Sequence, residues 1–279
     1  MMTFGFDAPA TTERLATIAP VLLEAGFEWI EIADREEHTP GYWKALDEIV
    51  ARYRPRLSVH CQYEQITPTA KNREIREASL AVIKRGVDLA ARWGASVAVM
   101  HGGQSSVDWS PPPGHPLHGA AMEALAADRA RHHRRLREVL PALADYATAR
   151  GVRLVVENLF LPWDLLLAPP EVAALLAGEL AEQVGMCLDI GHAHVAGFAP
   201  EAFVAALGDS IWHAHVHGND GLWDGHQPLA QSDTRLATSL PAIIAASPDA
   251  CLIFELNVFN CTVEEIIADR QLLASLLAG

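Results

Sequence analysis

The sequence predicts an α/β protein, a single (β/α)8 barrel domain over residues 1–279. Short apolar runs rich in β-branched residues alternate eight times with longer segments of helical spacing, which is typical of a parallel barrel surrounded by helices. The length also suits one such domain. An open doubly wound sheet is the alternative, but no glycine-rich nucleotide-binding motif follows the first strand.

The predicted strands are short apolar runs bounded by turn residues, the pattern of buried parallel strands. They are Thr3–Phe6, Trp29–Ala33, Arg56–Gln62, Ser96–His101, Arg153–Leu159, Val184–Ile190, Trp212–His217 and Cys251–Asn257.

The predicted helices lie between these strands and after the last one. They are Thr12–Ala25, Tyr42–Arg52, Asn72–Trp93, Ala120–Arg150, Pro170–Glu182, Pro200–Gly208, Thr234–Ala246 and Thr262–Ala278. Gly26, Gly94, Gly151 and Gly185 precede strands, where we expect them to cap the C-terminal ends of helices.

Composition limits the partners and the compartment. Half of the residues are hydrophobic, yet no uninterrupted apolar run reaches the roughly 18 residues that suggest a membrane helix. No signal peptide is recognisable, and the four cysteines lack CxxC spacing, so we expect a reduced, cytoplasmic protein. The net charge of −14 disfavours nucleic-acid binding, which usually needs a basic face, and favours a small-molecule substrate; a homo-oligomer is compatible with the sequence.

Metal-binding side chains stand at the ends of the apolar runs. His60, His101, Glu157, Asp189 and Glu255 each end one, and His192 follows Asp189 closely. Such an imidazole and carboxylate set can hold divalent metals. Glu157 and Glu255 carry most weight, because an unpaired carboxylate after an apolar run would be costly to bury and a metal removes that cost.

The seventh strand offers three imidazoles on one face, His213, His215 and His217, because side chains alternate along a strand. We expect His213 to be a packed core residue. His215 and His217 are alternatives for the metal, and we favour His215. Asp224 and His226 are expected to reach back from the following loop.

We do not expect several other histidines and tryptophans to bind metal. His132 and His133 are expected on a solvated basic helix face, and His194 is expected to support the ligands from behind. Trp109, Trp163 and Trp223 follow ligand-bearing strands, where they either cover a sugar ring or pack the loops.

Three segments resemble the superfamily of xylose-isomerase-like TIM barrels, which includes sugar-phosphate isomerases and epimerases and the endonuclease IV type of repair enzyme. The segments are Val156-Glu157-Asn158, Cys187 to Gly197, and His215 to His226. The resemblance implies divalent metal at the C-terminal mouth of the barrel. By motif, Glu157, Asp189, His215 and Glu255 match shared ligands, His60 and His101 match a neighbouring metal position, and His192, Asp224 and His226 match a third.

Two reactions are compatible with this set. We favour a sugar or sugar-phosphate isomerase or epimerase, in which metal makes a C–H beside a carbonyl more acidic and Glu157 and Glu255 move protons. The alternative is a zinc phosphodiesterase that cleaves DNA at abasic sites, since all nine ligands occur in the trinuclear zinc enzymes. A non-catalytic sugar-binding module is a third hypothesis. Imidazole-rich ligation favours zinc, while manganese, magnesium or cobalt also suit the carboxylates.

Overall fold

Eight parallel strands close into a barrel in chain order, which confirms the predicted fold class. The computed structural model describes residues 3–35, 38–107, 110–232, 236–255 and 261–278. The strands are β1 Thr3–Asp7, β2 Trp29–Ala33, β3 Arg56–His60, β4 Val97–His101, β5 Arg153–Glu157, β6 Val184–Asp189, β7 Ile211–Val216 and β8 Cys251–Phe254. The barrel is closed by pairing of β1 with β8, in which Phe4 lies opposite Leu252.

Helices connect the strands around the outside. They are α1 Thr12–Glu24, α2 Tyr42–Tyr53, α3 Arg73–Trp93, α4 His118–Thr148, α5 Pro169–Leu175, α6 Leu180–Gln183, α7 Ile190–Val195, α8 Pro200–Leu207, α9 Leu236–Ala246 and α10 Val263–Ala278. The helix predicted over Pro170–Glu182 is instead two helices, with Gly178 at a φ of 75° between them. The short helix α7 was not predicted, because its six residues follow β6 without a loop.

Side-chain alternation divides each strand between two environments. On β5, Leu154 and Val156 belong to the large apolar core between barrel and helices. Val155 faces inward and packs with Val97, Val99 and Cys187. Glu157 has the same parity as Val155, so it also points inward, at the C-terminal end of the strand. This alternation explains why the polar strand ends meet inside the mouth.

The capping glycines were predicted correctly at three of four positions. Gly26, Gly94 and Gly151 adopt positive φ angles of 92°, 67° and 73° after their helices. Gly185 instead lies inside β6. A Cβ atom there would lie 2.2 Å from the Trp212 ring, so close packing rather than a cap requires glycine at this position.

The structure also bears on membrane insertion and on the cysteines. No helix in the described part of the chain is long and apolar enough to cross a membrane. The cysteines Cys61, Cys187, Cys251 and Cys261 are free and buried.

Candidate metal centre

The nine predicted ligands lie together at the C-terminal mouth of the barrel. Seven of them line a cavity of about 470 Å³, and Asp189 and His215 lie just beneath it. The lining also includes Asp7, Arg35, Tyr63 and Phe160. A cavity of this size suits a small-molecule ligand.

The first group surrounds one oxygen of Glu157. Glu157 Oε2 is 3.1 Å from His60 Nε2 and 3.0 Å from His101 Nε2. His60 and Glu157 are buried, and His101 is only slightly exposed. Two imidazoles from β3 and β4 therefore face one carboxylate from β5.

The second group gathers ligands from four strands. Atoms of Glu157, Asp189, His215 and Glu255 all lie within 4.8 Å of one another. Nδ1 of His215 is 3.1 Å from Glu157 Oε1, 3.4 Å from Glu255 Oε2 and 3.8 Å from Asp189 Oδ2. One imidazole nitrogen thus faces three carboxylates.

The third group combines α7 with the segment that follows β7. Donor atoms of His192, His217, Asp224 and His226 lie within 4.8 Å of one another. Asp224 Oδ2 is 3.3 Å from His192 Nε2 and 2.9 Å from His226 Nε2. The ring of His217 stacks on that of His226 at 4.1 Å, and its Nε2 is 3.1 Å from Asp189 Oδ1.

His215 and His217 therefore belong to different groups. The sequence pattern presents them as alternatives, because three ligands from one strand would be unusual. Asp189 lies between them: both of its oxygens are close to Nε2 of His217, and Oδ2 is also 3.8 Å from Nδ1 of His215. The alternation of β7 leaves room for both, since His217 is one layer nearer the mouth than His215.

Backbone carbonyls fix the orientation of several imidazoles. Nδ1 of His60 donates to the carbonyl of Cys61 at 3.0 Å, and Nδ1 of His192 donates to the carbonyl of Asn158 at 2.9 Å. His226 is held similarly, through the carbonyl of Glu255 at 2.6 Å. In each case Nε2 is left facing the carboxylates, as in the supporting contacts of metal-bound histidines.

Electrostatics favour the charged forms of Glu157, His60 and His226. Burial would raise the pKa of Glu157, but the charges of His215 and His101 and the hydrogen bonds from His101 and His192 hold that pKa well below its usual value. Burial would lower the pKa of His60, but its contacts with Glu157 raise it to about 9. Burial would likewise lower the pKa of His226, but its contacts with Asp224 and Glu255 raise that pKa to about 10. The carboxylates therefore favour the protonated forms of His60 and His226, whereas burial lowers the pKa of His101.

The donor set fits divalent metal. Carboxylate oxygens and imidazole nitrogens are ligands of zinc. Here atoms of both kinds lie within 4.8 Å of one another, close enough to bind the same ion. Asp224 Oδ1 is buried without a hydrogen-bond partner within the described ranges. A cation would complete the coordination of the carboxylate.

Two acidic residues near the site were missed in the sequence. Asp7 ends β1 at the cavity, where burial and the charge of Glu255 raise its pKa to about 7. Glu31 lies inside the barrel on β2 and is only 1% exposed. The sequence contained a signal for Glu31, because this acidic residue lies in the middle of an apolar strand, just as Glu157 lies at the end of one.

His132 and His133 do not lie on a solvated face of α4, contrary to expectation. His132 is 2% exposed, with Nδ1 2.7 Å from Thr69 Oγ1 and Nε2 3.4 Å from the buried Asp128. His133 is largely covered as well, 3.9 Å from Glu171. The loops after β3 and β4 fold over this part of α4, which a helical charge pattern alone does not reveal.

The remaining expectations concern His194 and three tryptophans. His194 contacts Asn219 at 2.7 Å rather than a predicted ligand, and Asn219 donates to the carbonyl of Gly191. Trp223 is 68% exposed, and neither it nor Trp163 lines the cavity. Trp109 lies outside the described residues. The aromatic rings that do line the cavity belong to Tyr63 and Phe160.

Comparison with known proteins identifies the family. The model of the xylose isomerase-like TIM barrel family matches residues 20–257. The chain belongs to this family. The resemblance inferred from the sequence motifs is therefore confirmed.

Relatives of this family align over nearly the whole chain. Uncharacterized protein MJ1311 of Methanocaldococcus jannaschii is 24% identical over 283 residues, covering 99% of this chain and 89% of the relative. A D-tagatose 3-epimerase-like protein has a TM-score of 0.80 and 21% identity, covering 99% of this chain and 97% of its own. TTHB071 protein from Thermus thermophilus, in a structure with ZnCl2 soaking, has a TM-score of 0.69 and 23% identity, covering 99% and 98%. Sugar 3-epimerases are among the other structural neighbours.

Proposed function

We propose that the protein is a metal-dependent isomerase or epimerase of a sugar or sugar phosphate, acting by proton transfer beside a carbonyl group. The observation that carries the proposal is the placement of Glu157 and Glu255. Both line the cavity, and both belong to the second group of ligands. The sugar epimerases among the structural neighbours support the same reaction class.

The two glutamates have different surroundings. Glu157 is 1% exposed and contacts the imidazoles of His60, His101 and His215, whereas Glu255 has a side chain that is 19% exposed. Glu255 is therefore the freer base, able to accept a proton from a substrate carbon in the cavity. Glu157, on a different strand, is placed to hold or return a proton from another side.

A divalent metal bound by the second group would polarise the carbonyl and hydroxyl oxygens of the substrate and make the neighbouring C–H more acidic. The side chains of the protein form the binding surface for the substrate. Tyr63 and Phe160 give the cavity apolar surface against which a sugar can lie. Zinc suits the imidazoles, and manganese, magnesium or cobalt suit the carboxylates.

Deuterium incorporation tests the proposal even when the product is unidentified. The purified protein would be incubated in D2O with ketoses and ketose phosphates and with Zn²⁺ or Mn²⁺, and exchange of carbon-bound hydrogen followed by NMR. We expect exchange beside the carbonyl of at least one substrate, lost in Glu255→Gln and kept in the exposed control Glu123→Gln. Absence of exchange with a metal-loaded protein over the whole panel would contradict the proposal.

The third group favours a second candidate function, metal-dependent phosphodiester hydrolysis. His192, His217, Asp224 and His226 offer a metal position beyond what proton transfer needs. Several metals can generate hydroxide and neutralise a phosphodiester. Cleavage of an abasic-site duplex at about 0.15 M salt, lost in Glu255→Gln, would select this function over the first.

A further inference from the structure

A polar layer lies inside the barrel beneath the metal-binding groups. Its centre is Glu31 of β2, which is 1% exposed. Oε2 of Glu31 accepts from Ser58 Oγ at 2.8 Å and from His213 Nε2 at 2.8 Å. Ser58 and His213 are fully buried, so two side chains from β3 and β7 fix one oxygen of this carboxylate.

The other oxygen faces His215. Glu31 Oε1 is 2.8 Å from His215 Nε2, within ion-pair distance, and neither atom makes a hydrogen bond of good geometry among the residues that the structure describes. The two nitrogens of the His215 ring therefore have separate surroundings. Nε2 faces Glu31 below, and Nδ1 faces Glu157 and Glu255 above.

His215 differs in this respect from the histidines nearer the mouth. His60, His192 and His226 are anchored by backbone carbonyls through Nδ1 and present Nε2 to the carboxylates. His215 presents Nδ1, and its anchor is a charged side chain. A carboxylate behind an imidazole fixes its tautomer and strengthens its lone pair more than a neutral carbonyl does.

We propose that Glu31 is a positioning residue for His215: its carboxylate accepts the Nε2–H of His215 and holds Nδ1, unprotonated, toward the second metal group. Ser58 and His213 keep the carboxylate from turning away. The role of Glu31 as support for a metal ligand rests on the proposed function. The orientation of the His215 ring does not.

Two measurements on Zn²⁺-loaded protein test this role. In ¹H–¹⁵N spectra of histidine-labelled protein, with His215 assigned by His215→Gln, we expect the proton on Nε2, at the low field of a hydrogen bond to a carboxylate. In Glu31→Gln that signal should move to higher field. The Zn²⁺ affinity measured through the His215 signals should fall by about 10- to 100-fold, the usual cost of losing such a support.

Two further variants separate positioning from general stability. Glu31→Asp keeps the charge and should recover part of the Zn²⁺ affinity. Asp128→Asn removes another fully buried carboxylate that contacts a histidine, outside the mouth, and should leave the Zn²⁺ affinity unchanged even where it lowers the melting temperature.

A proton on Nδ1 of His215, or unchanged Zn²⁺ affinity in Glu31→Gln, would overturn the inference. Either result would leave a deuterium exchange activity intact, so failure of this inference is separable from failure of the proposed function. Conversely, a protein with the expected Glu31 effects but no exchange with any sugar would refute the proposed function alone.

Discussion

Gly191 of α7 packs directly against the ring of His217. A Cβ atom at Gly191 would lie 2.0 Å from Cε1 of His217, far inside van der Waals contact. His217 is fully buried, and its ring stacks on that of His226. The position of an imidazole in the third group thus depends on the absence of a side chain at the residue immediately before His192.

Replacement of Gly191 with alanine should disturb the third group selectively. The methyl group would push His217 away from Asp189 and Asp224, and we expect the loss of about one Zn²⁺ per chain, measured by elemental analysis of the purified protein. Gly119→Ala is a suitable control, because a Cβ atom there has no neighbour within 4 Å and α4 should tolerate it. Equal zinc content in the two variants would contradict this account of the third group.

Removal of either glutamate charge at the mouth should abolish turnover. Glu157→Gln and Glu255→Gln keep the side-chain shape but remove a proposed metal ligand and proton acceptor, so we expect rates at least about 10²-fold lower. Glu157→Gln should also lower the metal content more, because Glu157 contacts both His60 and His215. Circular dichroism melting should stay cooperative in both variants. Near-normal turnover in one of them would eliminate that residue as acid or base.

Asp7 should make the metal-free protein less stable as the pH rises. Its pKa is about 7 in the folded protein, against 3.8 as the reference for an unfolded chain, so folding favours the protonated form. Its contribution is fully present below pH 3.8 and is lost as the pH rises to about 7, by at most about 4 kcal/mol. Asp7→Asn removes this dependence.

The stability gain from Asp7→Asn should therefore grow with pH. Urea denaturation of chelator-treated protein should show a small gain over the wild type at pH 5 and a larger gain at pH 8. The same gain at both values would show that Asp7 titrates normally in the folded protein.

Duplex DNA should not be a substrate. The chain carries a net charge of −14, and the cavity lining that the structure describes contains one arginine, Arg35, and no lysine. Phosphate-backbone binding weakens steeply with salt even for basic proteins. We expect no retardation of an abasic-site duplex at about 0.15 M salt, with a known repair endonuclease as the positive control. Cleavage there would move the assignment to phosphodiester hydrolysis.

The sequence predicted the fold and the meeting of the ligands for one physical reason. In a closed parallel barrel all strands end at the same mouth, so a polar residue that ends an apolar run must lie there. His60, Glu157 and Asp189 follow this rule directly. Their proximity does not depend on the conformation of the loops.

What the sequence did not predict depends on contacts between distant segments. The burial of His132 results from the loops after β3 and β4 that cover α4. The separate positions of His215 and His217 depend on which layer of β7 meets Asp189. Glu31 was missed because it lies in the middle of a strand rather than at its end, although an acidic residue inside an apolar strand equally needs partners.

The closed interior beneath the mouth has a consequence for exchange with solvent. Val97, Val99 and Val155 pack together within the barrel, and Trp29, Cys251 and Ile253 form a second apolar cluster. Ions would then enter and leave by the same opening as the substrate. Extraction by a chelator should therefore slow when a ligand occupies the cavity, and the order of loading would be ion before substrate.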